Sequence, residues 1–324
     1  MPRMDVFDGS VLDYEAFVRL QKEAFREILG KRNVSDEFMR AEYYRWKYHT
    51  PVGYGRVAAV MDGPEMISVA AMLPVHVRHG EAVMRGWQCL DVATLPGHRG
   101  KGHFFDCLQA LKDTLESNEI FFAFPNENSL PGFIKLGCYE NLVVTTWINP
   151  LALGGKPRPP SFTEVASFDG RANGLFEKLL GSCGPVLDRN SAYMNYRYPG
   201  HPNNQYVLIE HQEEGALKGC AVVRKAHVMG RDVVLIMELW GLSSSIQRRL
   251  LRFVAGWSHS QGVGMAVMMH SGFLLFDGLA TGLFPVPSVL LPKRQVLVVY
   301  ATGGEADRAI KEKWHVQTGD WDVF

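Results

Sequence analysis

Apolar and polar positions change their spacing along residues 91–115. Residues 91–95 have the pattern of a strand that ends at Pro96, and a short loop follows. After the loop, apolar residues recur at intervals of four, three and four positions, which places them on one side of a helix. They are Phe104, Leu108, Leu111 and Leu115. The pattern predicts a strand, a loop and an amphipathic helix in that order.

The loop between this strand and this helix has the features of an anion site. It contains Gly100 and Gly102, next to the basic residues Arg99 and Lys101. Glycine allows backbone conformations that turn successive N–H groups the same way, and the following helix adds unpaired donors and the positive end of its dipole. We therefore predict that the loop binds a pyrophosphate.

A second apolar segment, residues 120–124, predicts another strand. It is followed by a polar run that contains Asn126 and Ser129, by a short helical segment, and by Gly137. Tyr139 then opens a further strand-like segment. The second block thus repeats the order of strand, loop and helix.

The two blocks resemble the central motifs of the GNAT superfamily of acyl-CoA dependent N-acetyltransferases. The family motif Arg/Gln-x-x-Gly-x-Gly/Ala is matched by Arg99 and Gly102, whereas Phe104 stands at the position of a small residue. In the second block, Phe133 stands where the family usually has a tyrosine. The resemblance covers roughly residues 10–150 and implies an α/β fold with a twisted mixed sheet flanked by helices.

The resemblance implies acetyl-CoA or another acyl-CoA as co-substrate. Its pantetheine arm would pair with the main chain of the strand before the loop, where one N–H group would also hold the thioester oxygen. The expected cofactor-binding residues are Val92, Ala93, Thr94, Arg99, Gly100, Lys101, Gly102, His103, Phe104, Asn126 and Ser129. For Ser129, capping of the short helix is an equal alternative.

Two residues are candidates for proton transfer. An amine must lose its proton before it attacks a thioester, and Asp91 is our candidate for the base. The alternative is a structural carboxylate that fixes the loop or pairs with Arg99. Because Phe133 has no proton to give, Tyr139 is our candidate for the acid, with a half-buried core residue or proton donation by solvent as alternatives.

Composition and charge narrow the class of protein and its partners. The 34 basic and 34 acidic residues balance, so we expect no nucleic-acid partner. No apolar run approaches the ~20 residues of a membrane span and the N-terminus lacks signal-peptide features, so we expect a cytoplasmic protein without membrane attachment. The five cysteines are widely spaced and mostly lie in apolar runs, which favours reduced thiols. No metal is expected, since His76 and His79 fall on opposite faces of a strand.

A Pro- and Gly-rich segment at residues 151–160 predicts a linker between two domains, residues 1–150 and 161–324. The tripeptide at 46–48, Trp-Lys-Tyr, has an echo at 196–198, Tyr-Arg-Tyr, an offset of 196 − 46 = 150. We interpret this as a duplication that gives two GNAT-like domains in tandem.

The second copy lacks the glycine loop. At the corresponding offset lies a helical pattern over residues 245–257, for which Ser243, Ser244 and Ser245 are candidate N-caps. Gly262 ends that helix rather than forming an anion loop. We therefore expect no second acyl-CoA site, and the resemblance to tandem GNAT proteins implies that this half covers the substrate cleft.

The sequence thus predicts an N-acyltransferase that moves an acyl group, most simply acetyl, from acyl-CoA directly to a primary amine of a small molecule or peptide. In GNAT proteins the second helix borders the acceptor site. The resemblance therefore implies that the aromatic run at 43–48 shapes the acceptor pocket. Two alternatives stay open: a non-catalytic binding or assembly module, and a transferase with a donor such as aminoacyl-tRNA. The acceptor, the acyl length and the oligomeric state are not encoded in these motifs.

Overall fold

Two large mixed β-sheets covered by helices, together with a small two-stranded sheet, make up the described part of the chain, and the two mixed sheets agree with the predicted fold class. The computed structural model describes residues 2–32, 34–149, 161–228, 230–272, 283–291 and 294–321. In chain order the strands are β1 (Arg3–Asp8), β2 (His49–Thr50), β3 (Gly53–Tyr54), β4 (Arg56–Asp62), β5 (Glu65–His79), β6 (Ala82–Thr94), β7 (Ile120–Ala123), β8 (Tyr139–Val143), β9 (Thr145–Asn149), β10 (Phe162–Val165), β11 (Val186–Leu187), β12 (Val207–Glu213), β13 (Ala216–Val228), β14 (Arg231–Gly241), β15 (Ala266–His270), β16 (Phe284–Pro285) and β17 (Val296–Ala301).

The helices lie on both faces of each sheet. They are α1 (Tyr14–Arg32), α2 (Ala41–Lys47), α3 (His103–Lys112), α4 (Leu130–Lys135), α5 (Gly170–Leu180), α6 (Ser191–Arg197), α7 (Ser244–Ser260) and α8 (Gly304–Ala309), with 3₁₀ turns at Pro96–His98, Ser288–Leu290 and Thr318–Asp320. The predicted amphipathic helix is α3, and its Leu108 and Leu111 are fully buried. It ends before Leu115, because Thr114 and Leu115 bond to carbonyls three residues back and tighten the last turn.

The two sheets share one pattern of pairing. The first has the order β1-β4-β5-β6-β7-β17-β8, with β11 paired to β5, and the second has the order β10-β12-β13-β14-β15-β9-β16. In the first sheet only β6 and β7 are parallel, and in the second only β14 and β15, among the described strand pairs. This shared order agrees with the interpretation of a duplicated unit.

Each sheet contains strands from both sides of the predicted boundary at residue 150. Strand β17 lies between β7 and β8 in the first sheet, and β9 lies between β15 and β16 in the second. The predicted linker at 151–160 lies outside the described residues. The two halves are therefore joined by exchanged strands as well as by the chain that connects them.

Two layers of side chains enclose the first sheet. On one face, α1 and α2 pack with an aromatic group that includes Phe17, Tyr44 and Tyr48. On the other face, α3 and α4 pack over Phe121, and Phe133 of α4 is buried against it. The second sheet has α5 and α6 on one face and α7 on the other. The candidate site lies where these layers meet the carboxyl ends of β6 and β7.

The cysteines are reduced, and some apolar side chains lie on the surface. All five cysteines are free, and each is buried except Cys183, which is half-buried. Within the described ranges, no group of three metal-ligating side chains is present, and no helix has the length and apolarity needed to cross a membrane. Val289 and Leu290 are largely exposed to solvent.

Candidate functional site

The strands β6 and β7 separate at their carboxyl ends. Their parallel pairing runs from Gly86 opposite Ile120 to Cys89 opposite Ala123. Beyond this point β6 continues to Thr94, and in the described part of the chain residues 90–94 have no strand beside them on the β7 side. The resulting split exposes a main-chain edge on which an extended ligand can form strand-like hydrogen bonds.

A β-bulge lies on β6 just past the start of the split. Ala71 pairs with Leu90, and Val69 pairs with Ala93. The two β6 residues Asp91 and Val92 therefore lie opposite a single β5 residue, Ala70. Asp91 has a φ of 49°, in the left-handed region that non-glycine residues seldom adopt. Bulges of this kind redirect a side chain, and here the redirected side chain is the predicted base.

The Asp91 carboxylate is held by two residues at the end of α2. Lys47 Nζ lies 2.7 Å from Asp91 Oδ2, and the Tyr48 hydroxyl donates to the same oxygen at 2.6 Å. The Gln21 side-chain amide donates to the Asp91 carbonyl oxygen at 2.8 Å. The Asp91 and Lys47 side chains are 13% and 4% exposed, so the pair is only weakly screened by solvent.

Asp91 does not pair with Arg99, as the structural alternative to a base would have allowed. Arg99 had been the alternative partner, but its guanidinium donates to the carbonyl oxygens of Ala24 at 2.8 Å and Thr94 at 3.3 Å. These bonds tie the end of β6 to α1. Arg99 thus fixes the start of the loop, and Lys47 takes the place opposite Asp91.

The predicted anion loop joins β6 to the N-terminus of α3. Gly100 and Gly102 have φ angles of 75° and 89°, so both need the left-handed conformation that glycine adopts without strain. A side-chain carbon at Gly100 would meet no atom within 4 Å, and one at Gly102 would come only within 3.9 Å of the Asp106 carboxylate. The space in front of the loop is open, and no side chain caps the N-terminus of α3. The unpaired N–H groups of the first helical turn face this space.

A comparison with protein-family models matches residues 11–129 to the family described as acetyltransferase (GNAT) domain. This part of the chain is similar to a GNAT domain. The match includes the bulge, the split and the glycine loop, which are the parts of the chain where the sequence resembles acyl-CoA dependent acetyltransferases. No curated protein sequence matches the chain significantly.

Solved structures are similar over both halves of the chain. A probable N-acyltransferase from Enterococcus faecalis V583 is 16% identical, with a TM-score of 0.66 over 93% of this chain and 73% of that one. A GCN5-related N-acetyltransferase from Anabaena variabilis is 12% identical, with a TM-score of 0.64 over the same shares. N-myristoyltransferase from Saccharomyces cerevisiae with bound myristoyl-CoA is 6% identical, with a TM-score of 0.60 over 92% of this chain and 82% of that one. At these identities the similarity shows the fold alone.

Phe104 occupies its unusual position in the GNAT domain without blocking the loop. Its ring points toward α4, where a side-chain carbon at Gly132 would lie only 2.3 Å from it. It also meets Phe133 edge-on, with ring centroids 6.2 Å apart. The glycine at position 132 therefore makes room for the large residue at position 104. Phe133 itself is buried, so it belongs to the core under the loop.

Asn126 and Ser129 form a closed turn after β7. The Asn126 side-chain oxygen accepts from the backbone N–H groups of Asn128 and Ser129, and the Ser129 hydroxyl accepts from the Asn126 N–H. Ser129 is the N-cap residue of α4, but its side chain makes no capping hydrogen bond. The turn orders the loop beside the split, and contact of these residues with the cofactor stays a prediction.

Tyr139 lies far from the split. It begins β8, three strand spacings from β6 and hence roughly 14 Å away at ~4.8 Å per spacing. Its hydroxyl donates to the carbonyl oxygen of Ile310, and burial raises its pKa. The structure does not bring Tyr139 together with Asp91, and we do not retain it as the acid.

The C-terminal segment reaches the split, which the sequence did not indicate. The Gln88 side-chain amide donates to the Asp320 carbonyl oxygen at 2.7 Å. The ring of Trp321 stacks on Phe124, the residue after β7, with centroids 4.1 Å apart. This segment comes from the far end of the chain, so only the tertiary fold places it at the site.

The second half repeats the bond between a tyrosine and a carboxylate. Tyr198, the counterpart of Tyr48, donates to Glu238 at 2.5 Å. Glu238 lies two residues beyond the last parallel pair of β14 and β15, as Asp91 does in the first sheet. These corresponding contacts support the interpretation that the halves arose by duplication.

The split of the second sheet is filled by the chain itself. The Gln317 side-chain oxygen accepts from the Leu239 N–H at 2.7 Å, and the Thr318 hydroxyl accepts from the Met269 N–H at 2.8 Å. A side-chain carbon at Gly319 would lie 2.1 Å from the Tyr198 hydroxyl, so the backbone itself touches the Tyr198–Glu238 pair. Residues 317–319 thus use the main-chain edges that a ligand would need.

The start of α7 also differs from the glycine loop. The Ser243 hydroxyl accepts from the Ile246 N–H at 3.3 Å, which confirms Ser243 as the N-cap residue. A cavity of about 390 Å³ lies beside it, with Trp240, His270 and His315 in its wall. Burial lowers the pKa of His270 and lowers that of His315 to about 4. Both imidazoles are therefore neutral at pH 7.

Proposed function

We propose that the protein transfers an acyl group from acyl-CoA, with acetyl-CoA as the simplest donor, directly to a primary amine. The observation that carries the proposal is the split between β6 and β7 directly before an open glycine loop at a helix N-terminus. The glycine loop and the helix N-terminus offer hydrogen-bond donors for a pyrophosphate. The split offers a strand edge along which an extended, amide-containing arm can bind.

The donor lies along β6 in this proposal. The loop residues Arg99, Gly100, Lys101, Gly102 and His103 surround the pyrophosphate, mainly with backbone N–H groups. The pantetheine arm runs antiparallel to the chain direction, from the loop back along residues 94–90 toward the bulge. A main-chain N–H around Val92, Ala93 or Thr94 donates to the thioester oxygen as it gains negative charge.

The reaction proceeds without a covalent enzyme intermediate. The neutral amine attacks the thioester carbon, the N–C bond forms, and collapse of the tetrahedral intermediate breaks the C–S bond. Asp91 accepts the proton that the amine loses, and Lys47 and Tyr48 orient its carboxylate. Because Phe133 is apolar and Tyr139 is distant, the thiolate leaves as such and takes its proton from solvent.

The acceptor is a small-molecule or peptide amine that approaches from the side of α2. Trp46 of α2 stacks on Tyr196 of the second half, with centroids 4.9 Å apart, and the Tyr196 hydroxyl donates to the Lys47 carbonyl oxygen. The predicted aromatic run therefore lies between the two halves and beside Asp91. We further propose a tandem GNAT arrangement and a cytoplasmic location.

Thermal unfolding with free CoA and acetyl-CoA tests the cofactor. A ligand at 100 times its dissociation constant adds ~2.7 kcal/mol of stability, so a saturable rise in melting temperature is expected. Gly102→Glu places bulk and negative charge in the loop and should abolish the rise. Gly215→Glu is the matched control, because Gly215 also has a positive φ, 74°, and open space around it, but lies in a distant turn.

The outcomes separate the candidate functions. A rise that is lost in Gly102→Glu and kept in Gly215→Glu supports the acyl-CoA site and justifies a screen of amines. No rise with either ligand at millimolar concentration would reject the acyltransferase and favour a binding module or a different donor.

A further inference from the structure

The acyl end of the split is closed by the sheet. The last parallel pair, Cys89 and Ala123, lies about five residues from the end of β6, which is roughly 17 Å at ~3.3 Å per residue. A pantetheine arm that runs from the glycine loop back along β6 therefore points its acyl group toward this pair. Beyond it, the backbones of β6 and β7 are joined, so an acyl chain must leave the plane of the sheet.

One face of the sheet offers no exit at this point. Below Cys89 and Ala123 lie Phe121, Phe133 and Cys138, each at most 3% exposed, in the core under α3 and α4. Close-packed interiors of this kind do not admit additional methylene groups without strain. The acyl chain can therefore extend only toward the face of α1 and α2.

On that face, an aromatic stack stands over the split. Phe124 is the first residue of the β7 segment beyond the last pair, and the Trp321 ring lies on it at 4.1 Å with an interplanar angle of 30°. Trp321 is 4% exposed. Behind the stack, Phe122 and Trp314 pack with centroids 5.3 Å apart.

Contacts to both halves fix the position of Trp321. Arg197 of the second half donates to the Trp321 carbonyl oxygen at 2.5 Å, and Gln88 of the first half donates to the neighbouring Asp320 carbonyl oxygen. The Asp320 carboxylate pairs with buried Arg189, which also holds Glu238. The ring is thus part of a rigid wall and not a loose terminal side chain.

We propose that Phe124 and Trp321 limit the donor to short acyl groups such as acetyl, so that the C-terminal segment of the second half determines the acyl specificity of the site in the first. This inference rests on the proposed function, because it assumes an acyl-CoA in the split. It means that the choice of acyl donor depends in part on Trp321, which lies outside the GNAT match at 11–129.

Dissociation constants for free CoA and for acetyl-, butyryl-, hexanoyl- and octanoyl-CoA, measured by calorimetry on the full chain, test the proposal without an acceptor. We expect octanoyl-CoA to bind at least about tenfold more weakly than acetyl-CoA, because its chain overpacks the wall. Trp321→Ala should reduce this ratio by about tenfold or more, as methylene groups fill the vacated space.

Two further variants provide a second test of the stack and a control. Phe124→Ala removes the other ring of the stack and should shift the same ratio, even if Trp321→Ala fails to fold. Trp257→Ala removes a partly buried tryptophan from α7 in the second half, outside the site, and should leave the ratio unchanged.

The results distinguish this inference from the function on which it rests. If the wild type binds CoA but accepts octanoyl-CoA as tightly as acetyl-CoA, the length limit is wrong and the acyl-CoA site stands. If the ratio is steep but neither stack variant changes it, other residues set the limit. If no CoA compound binds, the proposed function fails as well.

Discussion

Asp91 has a strained backbone, a charged partner and a position at the start of the split. Replacing it by Asn keeps the shape, and Asn tolerates the left-handed backbone better than most residues. If Asp91 is the base, Asp91→Asn should lower kcat by about 10² to 10⁴ and leave the affinity for acyl-CoA nearly unchanged. Steady-state kinetics with an accepted amine and calorimetry with CoA measure the two quantities separately.

The control for this variant is Asp113→Asn. Asp113 is a carboxylate at the end of α3 that accepts from Gln109, away from the split. It should retain wild-type turnover. Full activity of Asp91→Asn would show that the carboxylate only holds Lys47 and Tyr48 in place.

The sequence identified Asp91 but not the residues that act with it. A carboxylate five residues before Pro96 is visible in a local pattern, because strand, bulge and loop are adjacent in the chain. Lys47 and Tyr48 approach it from 43 and 44 positions away, and no local pattern encodes that contact. For the same reason, the only partner that the sequence suggested for a structural Asp91 was the nearby Arg99.

At the scale of elements, the segment that fills the second split should contribute to stability. Gln317 is 1% exposed, and its side chain both accepts from the Leu239 N–H and donates to the Leu239 carbonyl oxygen. Gln317→Ala leaves these buried main-chain groups unpaired, which should cost about 1–3 kcal/mol. Urea unfolding measures the free energy, and Gln109→Ala, which removes only an exposed side-chain bond to Asp113 on α3, should change it by less than about 0.5 kcal/mol.

The two buried histidines beside this segment make stability depend on pH. The folded-state pKa of His315 is about 4, below its ordinary value of 6.5, and that of His270 is lowered too. Between pH 6.5 and pH 4 these histidines bind more protons in the unfolded chain than in the folded one. The free energy of unfolding should therefore fall as the pH drops through this range. For His315 alone the loss is at most about 3 kcal/mol.

Urea unfolding at a series of pH values between 7 and 4 measures this loss. In His315→Gln, the free energy of unfolding should fall less steeply with decreasing pH, by an amount that corresponds to the uptake of up to one proton on unfolding. His259→Gln, at an exposed position near the end of α7, serves as the reference variant. A wild-type curve that is flat over this range would contradict the burial of both imidazoles.

Elements encoded by local pattern were predicted well, and their neighbours were not. The strand, glycine loop and helix at 91–112 follow from adjacent residues, and so does the Ser243 cap of α7. The places of β17 between β7 and β8, and of β9 beside β15, join segments more than 100 positions apart. Apolar strands of similar composition carry no local record of such a pairing.

At the scale of the whole molecule, a buried charged group in the second half fixes the C-terminal segment that contacts Gln88 of the first half. Arg189 and Glu238 lie 3.0 Å apart at 2% and 0% exposure, and Asp320 pairs with the same guanidinium. Burial raises the pKa of Glu238, while Arg189 acts in the opposite direction. Charges enclosed in this way tolerate little displacement, because Arg189 and Asp320 lose each other as partners when the C-terminal segment moves away.

Exchanged strands should make the two halves unfold together. Without β17, the first sheet has no strand between β7 and β8, and without β15, β9 has no described partner except the two-residue β16. Urea unfolding followed by far-UV circular dichroism and by tryptophan fluorescence should therefore give coincident transitions, since Trp87 and Trp240 report on different sheets. A fragment of residues 1–150 should lack a cooperative transition, although the GNAT match ends at 129. Two separate transitions in the full chain, or a cooperatively folded fragment, would instead show that each half is a domain whose own core is sufficient and that the exchange only adds to it.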